Sequence, residues 1–151
     1  MIIAGTGHRP TDCEAEEIVR TKARAALQYS GADTFICGMA AGFDLWAGDE
    51  ARLLGIEVWA ARPWAGHKAR KADVELYQRI YDAAAKVINV DPATEYPGVW
   101  VYHNRDKWMV DHATHILAYL HPDARAGGTY GTVKYAKGKK PIRNIYTAAP
   151  F

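Results

Sequence analysis

Three short glycine-containing turns carry most of the chemistry that can be read from this chain. The first is Gly5-Thr6-Gly7-His8-Arg9-Pro10. The second is Cys37-Gly38-Met39-Ala40-Ala41-Gly42-Phe43-Asp44, and the third is Gly127-Gly128-Thr129-Tyr130-Gly131-Thr132. Glycine lets a backbone approach a ligand closely, and the free amides that open a helix point at anions. His8 and Arg9 add charge-capable donors to the first turn. Met39, Ala40 and their neighbours keep the second turn slim. Asp44 stands at the mouth of a helix, where it caps the helix or accepts ribose hydroxyls, and one carboxylate can do both. In the third turn, successive amides with the Thr129 and Thr132 hydroxyls make a nest for an anion.

Two further segments carry charged or aromatic groups. In Asn104-Arg105-Asp106-Lys107-Trp108-Met109-Val110-Asp111, helical spacing puts Arg105, Trp108 and Met109 on one face and Lys107 with Asp111 on another. The stretch from Arg62 to Lys71 gathers positive charge beside Trp64. It reads either as a solvated basic loop or as a site that stacks a base on Trp64 and holds phosphates through Arg62, Lys68 or Arg70. His112 and His115 stand three apart, with His103 and His121 near in sequence, but His115 is expected to begin a strand. No Cys or Glu completes a zinc set at familiar spacing, so no metal site is expected. Cys13 and Cys37 give neither a metal spacing nor a disulfide framework and read as free thiols in a reducing compartment.

The elements that must position these groups follow a βαβ rhythm of short apolar runs and longer helical patterns. Strands are predicted at 1–4, 34–37, 56–60, 86–90, 116–120 and 142–146. Helices are predicted from a cap at Thr11 or Asp12 to Tyr29, and over 44–54, 72–85, 104–113 and 129–137. The first helix is expected to turn Ile18, Ala25, Ala26 and Tyr29 inward, and the third Val74, Tyr77, Ile80 and Tyr81. The reading is α/β: a single Rossmann-like domain over 1–151, with a mainly parallel sheet of about six strands and helices on both faces. Ligands of such sheets bind beyond the carboxyl ends of the strands, where all three turns fall.

At 151 residues, with 49% hydrophobic and 24% charged residues, the chain has ordinary globular composition. A formal charge of +2 is too small to mark a nucleic-acid protein. The apolar start reaches Gly7-His8-Arg9-Pro10 too soon for a signal peptide, and no run approaches a membrane span. A cytoplasmic location is expected.

Gly38-Met39-Ala40-Ala41-Gly42-Phe43-Asp44 resembles the SGxAxGxD motif of the SLOG superfamily of Rossmann-like proteins. That superfamily includes the DNA-processing A proteins, the lonely-guy phosphoribohydrolases and many uncharacterised bacterial and phage members. Thr6-Gly7-His8-Arg9-Pro10, the segment from Asn104 to Asp111 and Gly127-Gly128-Thr129 resemble the uncharacterised branch, in the same order along nearly the whole chain. The resemblance implies a site for nucleotides or nucleotide-derived signals. It also places Arg105 where the lonely-guy enzymes keep an arginine important for breaking a ribose–base bond. Those enzymes use a glutamate just after their Gly-Gly-x-Gly-Thr turn, whereas here Gly131-Thr132-Val133 leads to Lys134 and Tyr135. A carboxylate would stabilise the oxocarbenium-like state of that cleavage, so weak or no hydrolase activity is expected.

The expected function is a sensor or sequestering module for a nucleotide-type small molecule. Its ligand contacts would come from Gly5, Thr6, Gly7, His8, Arg9, Gly38, Met39, Ala40, Gly42, Asp44, Arg105, Met109, Gly127, Gly128, Thr129 and Thr132. No cofactor is required beyond such a ligand, and no nucleic acid, membrane or metal is expected. A homodimer is expected, and the aromatic segment from Tyr96 to Trp108 reads either as a surface for it or as a cover for the core. The alternatives are a nucleotide N-glycosidase that uses Arg105, Asp44 and Asp111, and a single-stranded DNA binder.

Overall fold

The computed structural model describes residues 1–146. Its strands are β1 (Ile2–Gly7), β2 (Thr34–Cys37), β3 (Glu57–Trp64), β4 (Lys86–Asp91), β5 (His115–Tyr119) and β6 (Ile142–Asn144). Its helices are α1 (Glu16–Gln28), α2 (Phe43–Leu53), α3 (Val74–Ala83), α4 (Trp100–His112) and α5 (Gly128–Ala136). All six strands are parallel, in the order β4-β3-β2-β1-β5-β6. This is the α/β Rossmann-like architecture expected.

The chain steps outward from β1 to β4, then crosses back to lay β5 on the other side of β1. That reversal opens a crevice at the carboxyl ends of β1 and β5. Right-handed crossovers put α1, α2 and α3 on one face, where α2 packs against both others, and α4 with α5 on the opposite face. Each face has its own core. Val19, Leu27, Phe35, Phe43, Leu45 and Ile80 fill the first, and Ile36, Met109, Val110 and Ile116 belong to the second. The central strand β2, Thr34 with three apolar residues, is buried along its whole length, as expected in the middle of a parallel sheet.

Several boundaries differ from expectation. β1 runs through Gly7, with Gly5 opposite Leu117 and Gly7 opposite Tyr119, so Gly5-Thr6-Gly7 is strand and not turn. A Cβ on Gly7 would overlap the Phe43 ring, and one on Gly5 would press on Phe35. These glycines make room for the core. β3 extends to Trp64, pairing Arg62 with Asn89 and Trp64 with Asp91, which takes the head of the supposed basic loop into the sheet. A 3₁₀ turn, Pro10–Asp12, occupies the expected cap of α1, which starts after Ala15. The inward face of α1 is Val19, Ala23, Ala26 and Leu27, while Ile18 and Tyr29 are exposed. On α3, Tyr77 and Ile80 are buried but Val74 is not.

α2 buries Asp49 and Glu50 under arginines. Arg20 Nη1 donates to both carboxylates at 2.9 and 3.1 Å. Arg24 Nε donates to Glu50 at 2.6 Å, and Arg52 and Arg79 donate to Asp49. With this many charge-assisted partners, neither buried carboxylate is left without a counter-charge. Burial opposes ionisation of Asp49, yet the arginines hold its pKa below the ordinary value. Among the described residues no helix is long and apolar enough to cross a membrane.

Candidate functional site

A cavity of about 870 Å³ opens at the carboxyl ends of β1 and β5. It collects residues from every glycine segment singled out above: Gly5 to Arg9 at the end of β1 and just beyond it, Ala40 and Asp44 at the head of α2, and Gly127, Gly128, Thr129 and Thr132 at the head of α5. Arg105 and Met109 close it from α4.

The floor is built around Gly38. Arg105, buried at 6% exposure, donates from Nη1 to the Gly38 carbonyl at 2.6 Å and from Nε to Asp106 Oδ1 at 2.7 Å. A Cβ on Gly38 would meet the Asp44 carboxylate at 2.5 Å and Met109 Sδ at 3.3 Å, so only glycine lets these groups converge. Burial opposes the charge of Arg105, but Asp106 and Asp44 outweigh it and hold its pKa above the ordinary value. Asp44 is 7% exposed and accepts one long bond, from the Ala40 N–H at 3.4 Å. Among the described residues it makes no ion pair. Burial pushes its pKa up to about 7, against the pull of Arg105. The site thus holds a permanent cation beside a carboxyl that is half protonated near neutrality.

The head of α5 lies at the cavity. Gly127 has φ 96°, which favours glycine, and no side chain caps the helix. Thr132 donates to the Gly128 carbonyl at 2.8 Å, so its proton is already engaged. Thr129 is 8% exposed, and its hydroxyl has no partner among the described residues. Between the two loops sits His8, whose carbonyl accepts from the Phe43 N–H at 3.1 Å.

Three expected contacts do not line the cavity. Gly38 acts beneath it, Met39 is buried in the core, and Gly42 is packed against His8 and Pro10. Gly42 has φ 89°, and a Cβ there would meet the His8 carbonyl at 2.6 Å, so its role is to bring the β2–α2 turn against the β1 loop. Asp111 is corrected outright: it is exposed, accepts from the Tyr135 hydroxyl at 2.8 Å and stands outside the cavity. Arg62 is spent on the Tyr77 hydroxyl and the His67 carbonyl, and Arg70 on Asp73. Trp64 packs edge-on against His67, Tyr96 and Tyr102. His112 bonds the Trp108 carbonyl and His115 the Thr114 hydroxyl, so each serves its own surroundings.

Sequence reasoning missed Asp12, His67, Tyr102 and Asp106, all of which line the cavity. Asp106 was one residue from a marked arginine, which was the available signal. His67 is held neutral, its pKa lowered to about 4 by burial and by Arg105 and Arg62.

No family model matches the chain, and no curated protein matches it. Solved structures do. DNA processing protein A from Streptococcus pneumoniae shares 16% identity at a TM-score of 0.74, over 93% of this chain and 48% of that one. DNA processing protein A from Helicobacter pylori, described with a single-stranded DNA binding mode, shares 16% at 0.71, over 94% and 63%. The molybdenum cofactor carrier protein from Chlamydomonas reinhardtii shares 19% at 0.59, over 93% and 73%. The chain therefore spans between about half and under two thirds of the DNA processing A proteins it matches. At these identities the likeness is one of fold, and that fold is the Rossmann-like one which the resemblance to the SLOG superfamily implies.

Proposed function

We propose that this chain is a binding module for a nucleotide or nucleotide-derived small molecule, held in the cavity above β1 and β5. One observation carries the reading: the uncapped head of α5 lines the same cavity as Arg105 and Asp44, and with it Thr129, a residue 8% exposed whose hydroxyl has no partner among the described residues. The amides and Thr129 would take a phosphate. Asp44, with oxygen capacity left over, would take sugar hydroxyls. Hydrolysis is disfavoured because the turns of α5 that follow Thr132 offer Lys134 and Tyr135 but no carboxylate. The homodimer belongs to the same reading: Tyr96, Val99 and Trp100 are all more than half exposed on the connection into α4.

Native mass spectrometry of the purified protein, followed by denaturation and analysis of released small molecules, tests this directly. An intact phosphorylated nucleoside-type ligand, lost in Thr129→Val at unchanged melting temperature, is the expected result. Free base with ribose phosphate accumulating from added nucleotides would instead establish the hydrolase. Light scattering that gives a monomer at micromolar concentration removes the dimer and leaves the ligand reading intact.

A further inference from the structure

His8 is held by its surroundings in a way the glycine turns do not explain. The backbone N–H of His121, in the loop between β5 and α5, donates to His8 Nε2 at 2.8 Å. A nitrogen that accepts carries no proton, so a neutral His8 must keep its proton on Nδ1. The ring is braced edge-on by Tyr119, with centroids 6.2 Å apart at 82°, and by Tyr146, at 6.4 Å and 80°. Its own backbone is fixed as well, since the His8 carbonyl accepts from the Phe43 N–H and from Cys13 Sγ. Nδ1 has no partner among the described residues, and His8 lines the cavity.

The structure assigns His8 as a fixed-tautomer donor, whose Nδ1–H is offered to an anionic oxygen of the ligand beside the head of α5. The inference rests on the proposed anion site and deepens it. Burial lowers the His8 pKa, Asp12 pulls it back up and His121 adds to the fall, which keeps the ring neutral at and above neutral pH. A neutral donor binds a phosphate without adding a charge to a site that already contains Arg9 and Arg105. Because the same ring receives the His121 N–H, ligand binding through Nδ1 also ties the β5–α5 loop to the end of β1.

Two side chains separate the roles of the two nitrogens. In His8→Gln, the side-chain oxygen can still accept from the His121 N–H, but the Nδ1–H donor is gone. In His8→Asn, the amide nitrogen sits near the place of Nδ1, but nothing reaches His121. The probes are inorganic phosphate and adenosine 5′-monophosphate, with affinities measured by calorimetry at pH 7.5. A hydrogen bond to a charged group corresponds to about a tenfold change or more. His8→Gln should therefore lose about tenfold in affinity for both probes and keep its melting temperature. His8→Asn should bind within a few-fold of the parent but melt earlier. Nitrogen NMR of the unliganded parent should show a pyrrole-type Nδ1 and a pyridine-type Nε2, with the Nδ1 signal moving as phosphate is added. The opposite tautomer, or a cationic ring at pH 7.5, overturns the inference whatever the variants do. Equal binding by His8→Gln and parent overturns it while leaving the anion site in place. A parent protein that takes up neither probe overturns both.

Discussion

Asp44 shows at the scale of one residue how the fold changes the chemistry of a side chain. Its sequence position suggested a helix cap or an acceptor of ribose hydroxyls, and the structure buries it at a cavity with a single long hydrogen bond and a pKa raised to about 7. The cause is desolvation first, with Asp106 adding to it and Arg105 opposing it. A raised acid pKa has a definite sign for stability. Below about pH 4 both folded and unfolded chains hold the proton. Between about pH 4 and pH 7 the folded chain binds it and the unfolded chain does not, so stability falls as pH rises through that window. Each unit is worth at most about 1.4 kcal/mol. Asp44→Asn removes this slope. Urea melts at pH 5 and pH 8 should show the variant gaining about 2–3 kcal/mol on the parent between the two conditions. Parallel pH profiles would place the Asp44 carboxylate in water.

At the scale of elements, legibility followed how far each apolar run could be read without its neighbours. β2 was legible to the residue because a β-branched Thr34 and three apolar residues between Gly31-Ala32-Asp33 and Gly38 admit little else. β1 was cut short because Gly5 and Gly7 look like punctuation, and only the tertiary positions of the Phe35 and Phe43 rings explain glycine inside a strand. β3 was cut short because Arg62 and Pro63 break its apolar pattern. Beyond Ala60, however, β2 has ended and β3 pairs only with β4, so a proline without an N–H costs nothing on the open side. In α1 two apolar faces compete one residue apart, and Val19 with Leu27 wins over Ile18 with Tyr29 only once α2 is in place. The glycine turns of the site were visible in the sequence. The cavity wall Tyr102 was not, because α4 begins at Trp100, earlier than its pattern suggested. The strand role of Gly7 can be tested. Gly7→Ala places a methyl group inside the Phe43 ring, and overpacking of this kind costs about 1–3 kcal/mol. A thermal melt should show that loss, and Gly7→Ala paired with Phe43→Leu should recover part of it. A Gly7→Ala protein as stable as the parent would mean that Phe43 does not pack there.

At the scale of the whole molecule, a small ligand and a nucleic acid differ in the free positive charge they need. Structural likeness to a protein described with a single-stranded DNA binding mode makes the comparison necessary, but binding a strand needs a track of free positive charge. This fold uses much of its arginine internally: Arg20, Arg24, Arg52 and Arg79 neutralise Asp49 and Glu50, Arg70 pairs with Asp73, and Arg105 pairs with Asp106. The cavity itself sets Arg9 and Arg105 among Asp12, Asp44, Asp106 and Asp123, a lining with too few cations to follow a strand of phosphates. Each strand phosphate neutralised contributes about 0.7 to the slope of log affinity against log salt. A 20-nucleotide strand titrated from 50 to 200 mM salt should therefore give a slope no steeper than about −1.5, with binding too weak to follow at the higher salt. A slope of −4 or steeper would require a basic track that the paired arginines do not provide, and would replace the small-molecule reading with a strand-binding one.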